Sequence, residues 1–278
     1  MKTRILSSAV LGAIVVVLAF LPVIILQLAL AFAGAAAEME ILRATGGGRF
    51  RPVIVSSALF AVFAPFFLAS EGRLFAYGCV LAHSIVLIGT HFKYHRRLSV
   101  EKTGLLFMLT VIAPVSIAAL GYLRAAPDHG TFYMLLTLLM IWQCDSGAYL
   151  TGTFFGKRKL CPAISPKKTV EGLAGGIVIS ILSALAAAWV YQGVHLNGLQ
   201  DAVYTVNYLR VALLAMAAAP VSVLGDLFAS TVKRHYGVKD YGAIMPGHGG
   251  VMDRLDSLML TAPMIFVVVR EFPLIIRN

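Results

Sequence analysis

Residues 225–256 read GDLFASTVKRHYGVKDYGAIMPGHGGVMDRLD, with four carboxylates (Asp226, Asp240, Asp253, Asp256), four cations (Lys233, Arg234, Lys239, Arg254) and two histidines. In a chain that is 59% hydrophobic and only 13% charged, this is a concentrated deposit. Asp226 closes an apolar run, with Ser230 and Lys233 at i+4 and i+7 on its face. Asp253 and Asp256 are i,i+3 and share a face if MDRLDSLM begins the last helix. Three carboxylates among cations suggest an oxygen-liganded divalent metal, with Mg²⁺ the default when phosphates complete its shell. Between them, Pro246-Gly247-His248-Gly249-Gly250 makes a turn whose backbone N–H groups can approach an oxyanion. Lys233, Arg234 and Lys239 would clamp phosphate charge. A set of surface ion pairs, each worth little, would explain the charges. It would not explain the glycine run or the acidic residues at two span ends.

A second deposit lies at 145–172, DSGAYLTGTFFGKRKLCPAISPKKTVEG. Asp145 follows an uninterrupted apolar run, with Tyr149 one turn later on the same face. An acid there should face a polar cavity rather than lipid, although an interfacial helix cap would also account for it. Ser165-Pro166-Lys167-Lys168-Thr169 places two hydroxyls and two ammoniums just before a new helix. Ser or Thr can cap that helix and Pro can sit in its first turn. Its free N–H donors and positive dipole end make an anion site. A plain basic loop is the rival reading, against which the SPKKT–EGLAGG arrangement weighs.

The elements that must hold these residues are transmembrane helices. A mean hydropathy of +0.85 excludes an ordinary soluble domain. Long Leu-, Ala-, Val- and Phe-rich runs favour helices over a barrel of roughly ten-residue alternating strands. The net charge of +10 reflects topology and anionic lipid, since no nucleic-acid motif is present. At about twenty apolar residues per span, helices are predicted near 5–20, 23–42, 53–69, 74–92, 104–122, 131–150, 170–192, 209–230 and 257–273. The apolar stretch 5–37 is too long for a signal-peptide core of about 7–15 residues. It reads as two retained helices with a turn near Pro22, the weakest division in the count. The expectation is an all-α, polytopic membrane bundle of about nine spans and one membrane domain. Within it, residues 1–130 supply helices of unassigned role, and 131–278 form the catalytic half with motif loops 145–172 and 226–256.

The distribution of basic residues supports that count. With the N-terminus in the cytoplasm, alternate connections on that side hold Lys2 and Arg4; Arg43, Arg49 and Arg51; Lys93, Arg96, Arg97 and Lys102; Lys157, Arg158, Lys159, Lys167 and Lys168; and Lys233, Arg234, Lys239 and Arg254. Of 23 basic residues, only Arg73, Arg124, Arg210, Arg270 and Arg277 fall opposite, as the positive-inside rule requires. Both chemical deposits then face the cytoplasm.

Other features read more plainly. Cys79, Cys144 and Cys161 lack metal-like spacing and read as packing residues. Gly46-Gly47-Gly48 lacks the flanks of a phosphate loop and reads as a flexible connection. KYHRR at 93–97 reads as a headgroup anchor. The histidines share no helical spacing with carboxylates suited to a metal. Glu38 and Glu40 lie late in the second span, followed by Arg43, and Glu38, near the cytoplasmic end, can point inward or pair.

The motif residues resemble the phosphatidate cytidylyltransferases (CDP-diacylglycerol synthases), membrane enzymes of phospholipid synthesis. That family's Ser, Lys-Arg, Lys-Asp, His-Gly-Gly and Asp-Arg-x-Asp signature appears here as Ser230, Lys233-Arg234, Lys239-Asp240, His248-Gly249-Gly250 and Asp253-Arg254-Leu255-Asp256. DSGAY and SPKKTVEG also look like the family's cytoplasmic segments, so the likeness spans roughly 140–260. The first half matches in hydropathy alone. The resemblance implies transfer of CMP from CTP to phosphatidate, giving CDP-diacylglycerol and pyrophosphate. It implies Asp226, Asp253 and Asp256 as ligands of Mg²⁺, with room for a second cation. It further implies Lys167, Lys168, Lys233, Arg234 and Lys239 as phosphate contacts, with Ser165, Thr169, Ser230 and the Gly249-Gly250 backbone as donors. Asp145, Asp240, His248 and Arg254 complete the expected substrate site, His248 either bonding phosphate or holding the turn. The expected partners are CTP, phosphatidate and membrane lipid, at the cytoplasmic face of a cell inner membrane. A homodimer is an option that no sequence feature requires.

Two rival classes remain at this point. A CTP-dependent polyprenol kinase or an archaeal-type lipid cytidylyltransferase would use neighbouring chemistry. A secondary transporter would show paired repeats and broken helices at mid-bilayer, whereas these charges gather at one face.

Overall fold

The computed structural model describes residues 2–66, 73–196, 204–245 and 249–277, with side chains from Val10 onward except that of Arg73. Ten helices order the chain: α1 (Lys2–Phe20), α2 (Val23–Ala44), α3 (Arg51–Phe63), α4 (Arg73–Lys93), α5 (Val100–Ala125), α6 (Gly130–Phe155), α7 (Val170–Tyr191), α8 (Tyr208–His235), α9 (Met252–Leu255) and α10 (Leu258–Glu271). Each stretch expected to be helical is helical over its described part. The third helix ends early, passing into a 3-10 turn at Ala64–Phe66, and its expected remainder lies outside the described residues. Asp253 and Asp256 do not open the last long helix. They belong to the one-turn α9 and its C-cap, just ahead of α10.

Among the described residues, five helices are long and apolar enough to cross a membrane: Val23–Ala44, Leu74–Lys93, Val100–Ala125, Val170–Leu196 and Tyr208–His235. Val10–Phe20 and Arg51–Phe66 are shorter apolar helices. Phe32, Leu74, Leu182, Trp189 and Leu209 are exposed on these segments, a surface suited to lipid and a liability in water. The chain is therefore a polytopic helical membrane protein.

Two compact units divide the chain. The first comprises Met1–Tyr122 and Val232–Met259, the second Leu123–Thr231 and Leu260–Asn278. In the first, Leu42, Phe50, Val53, Leu87, Leu98 and Leu106 form one buried cluster. The glycine run there is a formed turn rather than a flexible link. Gly46 adopts φ 68°, a 3-10 turn follows at Gly47–Arg49, and a Cβ on Gly47 would strike Leu42 and Leu106. His83 ties three helices together, its Nδ1 3.1 Å from Ser56 Oγ and its Nε2 2.8 Å from Thr110 Oγ1.

In the second unit, α6 and α7 make the most extensive pairing. Small residues permit it: a Cβ on Gly172 would lie 2.7 Å from Ala148 O, and one on Gly176 would lie 2.7 Å from Cys144 O. Helices in lipid lack a hydrophobic drive to associate, so close backbone approach supplies the attraction. Ser180 adds a 2.9 Å hydrogen bond to Met140 O. Between α6 and α7 the chain forms a hairpin that sequence periodicity did not reveal, β1 (Lys159–Cys161) against β2 (Ser165–Thr169), antiparallel. A second antiparallel pair joins β3 (Tyr204–Val206) to β4 (Ile275–Arg277). Cys144 packs with Ala219, Val223 and Leu227, and Leu160, Cys161 and Ile164 of the hairpin close over that cluster. These cysteines are packing residues.

Candidate active site

In the second unit the hairpin, α6, α7 and α8 line a cleft of about 610 Å³, within the usual range of small-molecule sites. Asp145 and Tyr149 reach it from α6, and Ser165, Lys167, Lys168 and Thr169 from β2. Lys159 comes from β1, Gly172 from α7 and Asp226 from α8. Local chemistry explains how the hairpin meets α7. Thr169 is the N-cap, its Oγ1 accepting the Gly172 N–H at 3.0 Å. Glu171, in the first turn, accepts the backbone N–H groups of Lys157 and Arg158 at 3.0–3.2 Å. The sequence allowed either hydroxyl to cap, and Thr169 does. Pro166, expected in the first helical turn, sits in β2 instead, because α7 starts only at Val170.

Lys168 Nζ lies 2.5 Å from Asp226 Oδ2, each side chain about a quarter exposed. Ser230 Oγ donates to Asp226 Oδ1 at 3.2 Å, as the i+4 spacing predicted. The cleft thus offers three ammoniums and several hydroxyls to an anion, with two carboxylates on its walls.

The first unit holds a different arrangement. Lys233, in the last turn of α8, is buried. Its Nζ lies 2.8 Å from Asp253 Oδ1 and 3.7 Å from Asp256 Oδ2. The same ammonium stands 5.4 Å from the centroid of the Tyr241 ring. Asp253 Oδ2 accepts N–H groups from Tyr241 at 2.8 Å and Gly250 at 3.0 Å. Gly249 sits at φ 80°, and a Cβ there would lie 2.9 Å from Asp253 Oδ2. A side chain at that position is therefore opposed both by backbone conformation and by the carboxylate. Asp256 Oδ1 accepts the Ser257 N–H at 2.8 Å. Burial, then Asp253 and Asp256, push the Tyr241 phenol above the ordinary tyrosine range. Two carboxylates and one ammonium thus form an ionic triad, in which Lys233 and Asp253 are buried and hydrogen-bonded and Asp256 is partly buried at ion-pair distance.

The predicted residues fall into four groups. Asp145, Ser165, Lys167, Lys168, Thr169 and Asp226 meet at the cleft, with Ser230 behind Asp226. Lys233, Asp253, Asp256, Gly249 and Gly250 meet in the other unit. Arg234 turns away from the triad, donating to Val238 O at 3.3 Å, while Lys239, Asp240 and Arg254 are exposed. His248, with Pro246 and Gly247, lies outside the described residues. Sequence reasoning passed over Lys159, counted only as a topological charge, and Tyr241, whose neighbour Asp240 carried the motif.

No group of three or more His, Cys, Asp or Glu gathers into a metal-holding cluster among the described residues. Asp253 and Asp256 nonetheless converge on one cationic point at Lys233 Nζ. They are hard oxygen donors of the kind Mg²⁺ takes when water and phosphate fill the rest of its shell. Their oxygen chemistry suits such an ion, although here Lys233 and backbone N–H groups engage them.

A model of the cytidylyltransferase family matches residues 2–272. The chain is 35% identical over 202 residues to the phosphatidate cytidylyltransferase of Bacillus subtilis, covering 73% of this chain and 68% of that protein. It is 37% identical over 172 residues to the phosphatidate cytidylyltransferase of a Staphylococcus epidermidis strain, covering 60% and 62%. With the Haemophilus influenzae protein of the same name it shares 40% identity over 156 residues, 56% of this chain and 52% of that protein. With nearly its whole length matched, the chain belongs to the cytidylyltransferase family, and it is the nucleotidyltransferase that its motifs led one to expect.

Proposed function

We propose that this chain transfers the cytidylyl group of CTP to phosphatidate, giving CDP-diacylglycerol and pyrophosphate. The observation that carries the reading is the family match over residues 2–272, joined to relatives named for that activity. A phosphate oxygen of phosphatidate attacks the α-phosphorus of CTP, and the bond from that phosphorus to the bridging oxygen of pyrophosphate breaks. The attacking group is already anionic near neutral pH, so no strong general base is required. What the protein supplies is alignment of two polyanions and neutralisation of their charge.

The cleft suits the triphosphate. Lys159, Lys167 and Lys168 surround it, with Ser165 and Thr169 beside them. Incoming phosphate would compete with Asp226 for Lys168, both of which line the cleft. Asp253 and Asp256 would hold Mg²⁺, which when bound supplies Lewis-acid polarisation of phosphoryl oxygens. Asp226, given the same role by the motif, pairs with Lys168 within its own unit, and its replacement tests that role separately. Lys233 then sets the positions of both acids before substrate arrives.

Pyrophosphate release by the purified protein in detergent, with phosphatidate, CTP and Mg²⁺, tests the reading. Release should require both substrates and fall at least about 100-fold in Asp253→Asn and Asp256→Asn, the scale of losing a charge-stabilising group. Release of CDP with phosphorylated lipid would instead mark a kinase and overturn the proposal.

The charge distribution supports nine spans, a cytoplasmic N-terminus and a cytoplasmic reaction site in a bacterial inner membrane. In a background lacking native cysteines, Arg158→Cys should label only from the cytoplasmic side and Ala126→Cys only from the opposite side. Labelling of both from one side would remove the topology.

A further inference from the structure

Two carboxylates late in α2 are used by neither arrangement above. Glu38 is fully buried, and neither of its oxygens has a hydrogen-bond partner among the described residues. Glu40 is 2% exposed and reaches the motif loop within its own unit. Its Oε2 accepts the Met252 N–H at 2.9 Å, while its Oε1 has no hydrogen-bond partner among the described residues. A Cβ on Gly242 or on Gly250 would run into the same group. The loop therefore wraps the Glu40 carboxylate, lying against it at two glycines and bonding it through the Met252 N–H.

Asp253 completes the arrangement from the other side, accepting N–H groups of Tyr241 and Gly250. One short segment, Gly250–Met252, is thus held by two buried carboxylates, one from α2 and one from its own next residue. Buried N–H groups left unpaired are costly, so without Glu40 the segment must shift to regain partners. Any shift there moves Asp253 directly.

We propose that Glu40 is a positioning residue for the reaction: by fixing Gly250–Met252 it sets where Asp253 and Asp256 present their oxygens. This rests on reading those two acids as part of the reaction site. It also gives the N-terminal helices, which the sequence left without a role, a direct hold on the chemistry.

The test uses the full chain in detergent and two readouts, hydrogen–deuterium exchange of residues 249–256 and the Mg²⁺ concentration that half-activates turnover. Glu40→Ala should speed exchange across 250–253 and raise the half-activating Mg²⁺ by about 10- to 100-fold, the usual effect of losing a group that orients a ligand. Glu40→Gln keeps an acceptor oxygen for Met252 and should restore most of both. Glu38→Gln, on the same helix without a hydrogen bond to the loop, should change neither. Gly250→Ala should reproduce the Glu40→Ala defect from the loop side. Adding Glu40→Asp, which withdraws the carboxylate by one methylene, should recover several-fold of the loss. If Glu40→Ala does not fold, the Gln substitution and the Gly250 pair decide the matter. Wild-type exchange in these variants would overturn the proposal. So would faster exchange with an unchanged Mg²⁺ requirement, since that is what mere structural support predicts. If the wild-type protein releases no pyrophosphate, the reaction reading fails, while exchange still reports whether Glu40 holds the loop.

Discussion

Lys168–Asp226 and Lys233–Asp253 are the same pair of residue types at 2.5 and 2.8 Å, yet they do different work. The first stands in an open cleft with side chains 24% and 26% exposed, the second in a buried setting at 9% and 4%. A partly exposed pair gains little net energy and is readily exchanged for another partner. A buried pair has already met its desolvation cost, and removing one member strands the other. The comparison teaches that ionic contact does not by itself define a substrate contact. Side-chain exposure separates the two pairs, although the Lys168 Nζ atom is itself shielded from solvent; on the proposed function, the first would receive a phosphate and the second would fix the acids.

The largest effect should follow from breaking the buried pair. Lys233→Met leaves Asp253 and Asp256 facing each other without their common cation. We expect a loss of about 3–5 kcal/mol, the range for an uncompensated buried charge, seen in denaturant unfolding of the protein in detergent. Neutralising Asp253 as well, in Lys233→Met/Asp253→Asn, should recover part of that stability while leaving the enzyme inactive. A loss below about 1 kcal/mol in the single variant is the surface-pair value and would erase the contrast.

The opposite signature belongs to the cleft. Lys168→Met should change stability by less than about 1 kcal/mol. It should lower kcat/KM for CTP by about 10- to 100-fold, matching the roughly 1.5–3 kcal/mol of a hydrogen bond to a charged group. Rising salt should weaken the wild-type enzyme's use of CTP more than that of the variant. If Lys168→Met unfolds the protein and leaves the remaining activity normal, Lys168 is a structural ion-pair member and the cleft loses its principal phosphate contact.

How much of this was legible in the sequence differs between the two regions for physical reasons. Helices announced themselves, because a lipid-spanning segment must be apolar throughout. The Asp226–Ser230 contact followed from i,i+4 spacing alone. The β1–β2 hairpin did not, since its strands are three and five residues long and too short to show a period of two. Pro166 was misplaced for the same reason: a proline before a helix reads as its first turn unless the strand is seen. Glu40 was noticed only as a polar residue late in α2. Its partner Met252 is 212 positions away, and no local pattern encodes a carboxylate that bonds backbone. The glycines at 172 and 176 marked the α6–α7 contact by their four-residue spacing, a signal present in the sequence but read there only as part of a helix start.

The smallest predicted effect tests how rigid the open cleft is. Thr169 is 5% exposed. Its Oγ1 caps α7, with added Cβ atoms on Gly152, Gly156 and Gly172 each falling within 2.8–2.9 Å of it. The hydroxyl is therefore enclosed by three positions that cannot carry a side chain. Thr169→Ala removes one helix cap and should cost about 1 kcal/mol, while Thr169→Ser, which keeps the oxygen, should restore most of it. Because the cap sits where β2 enters α7, loosening it should also lower kcat/KM for CTP, by less than Lys168→Met does. If Lys168 exchanges Asp226 for a phosphate, its frame has to yield slightly. If Thr169→Ala instead abolishes turnover as fully as loss of Lys168, the cleft is as tightly preset as the ionic triad, and exposure no longer distinguishes the two.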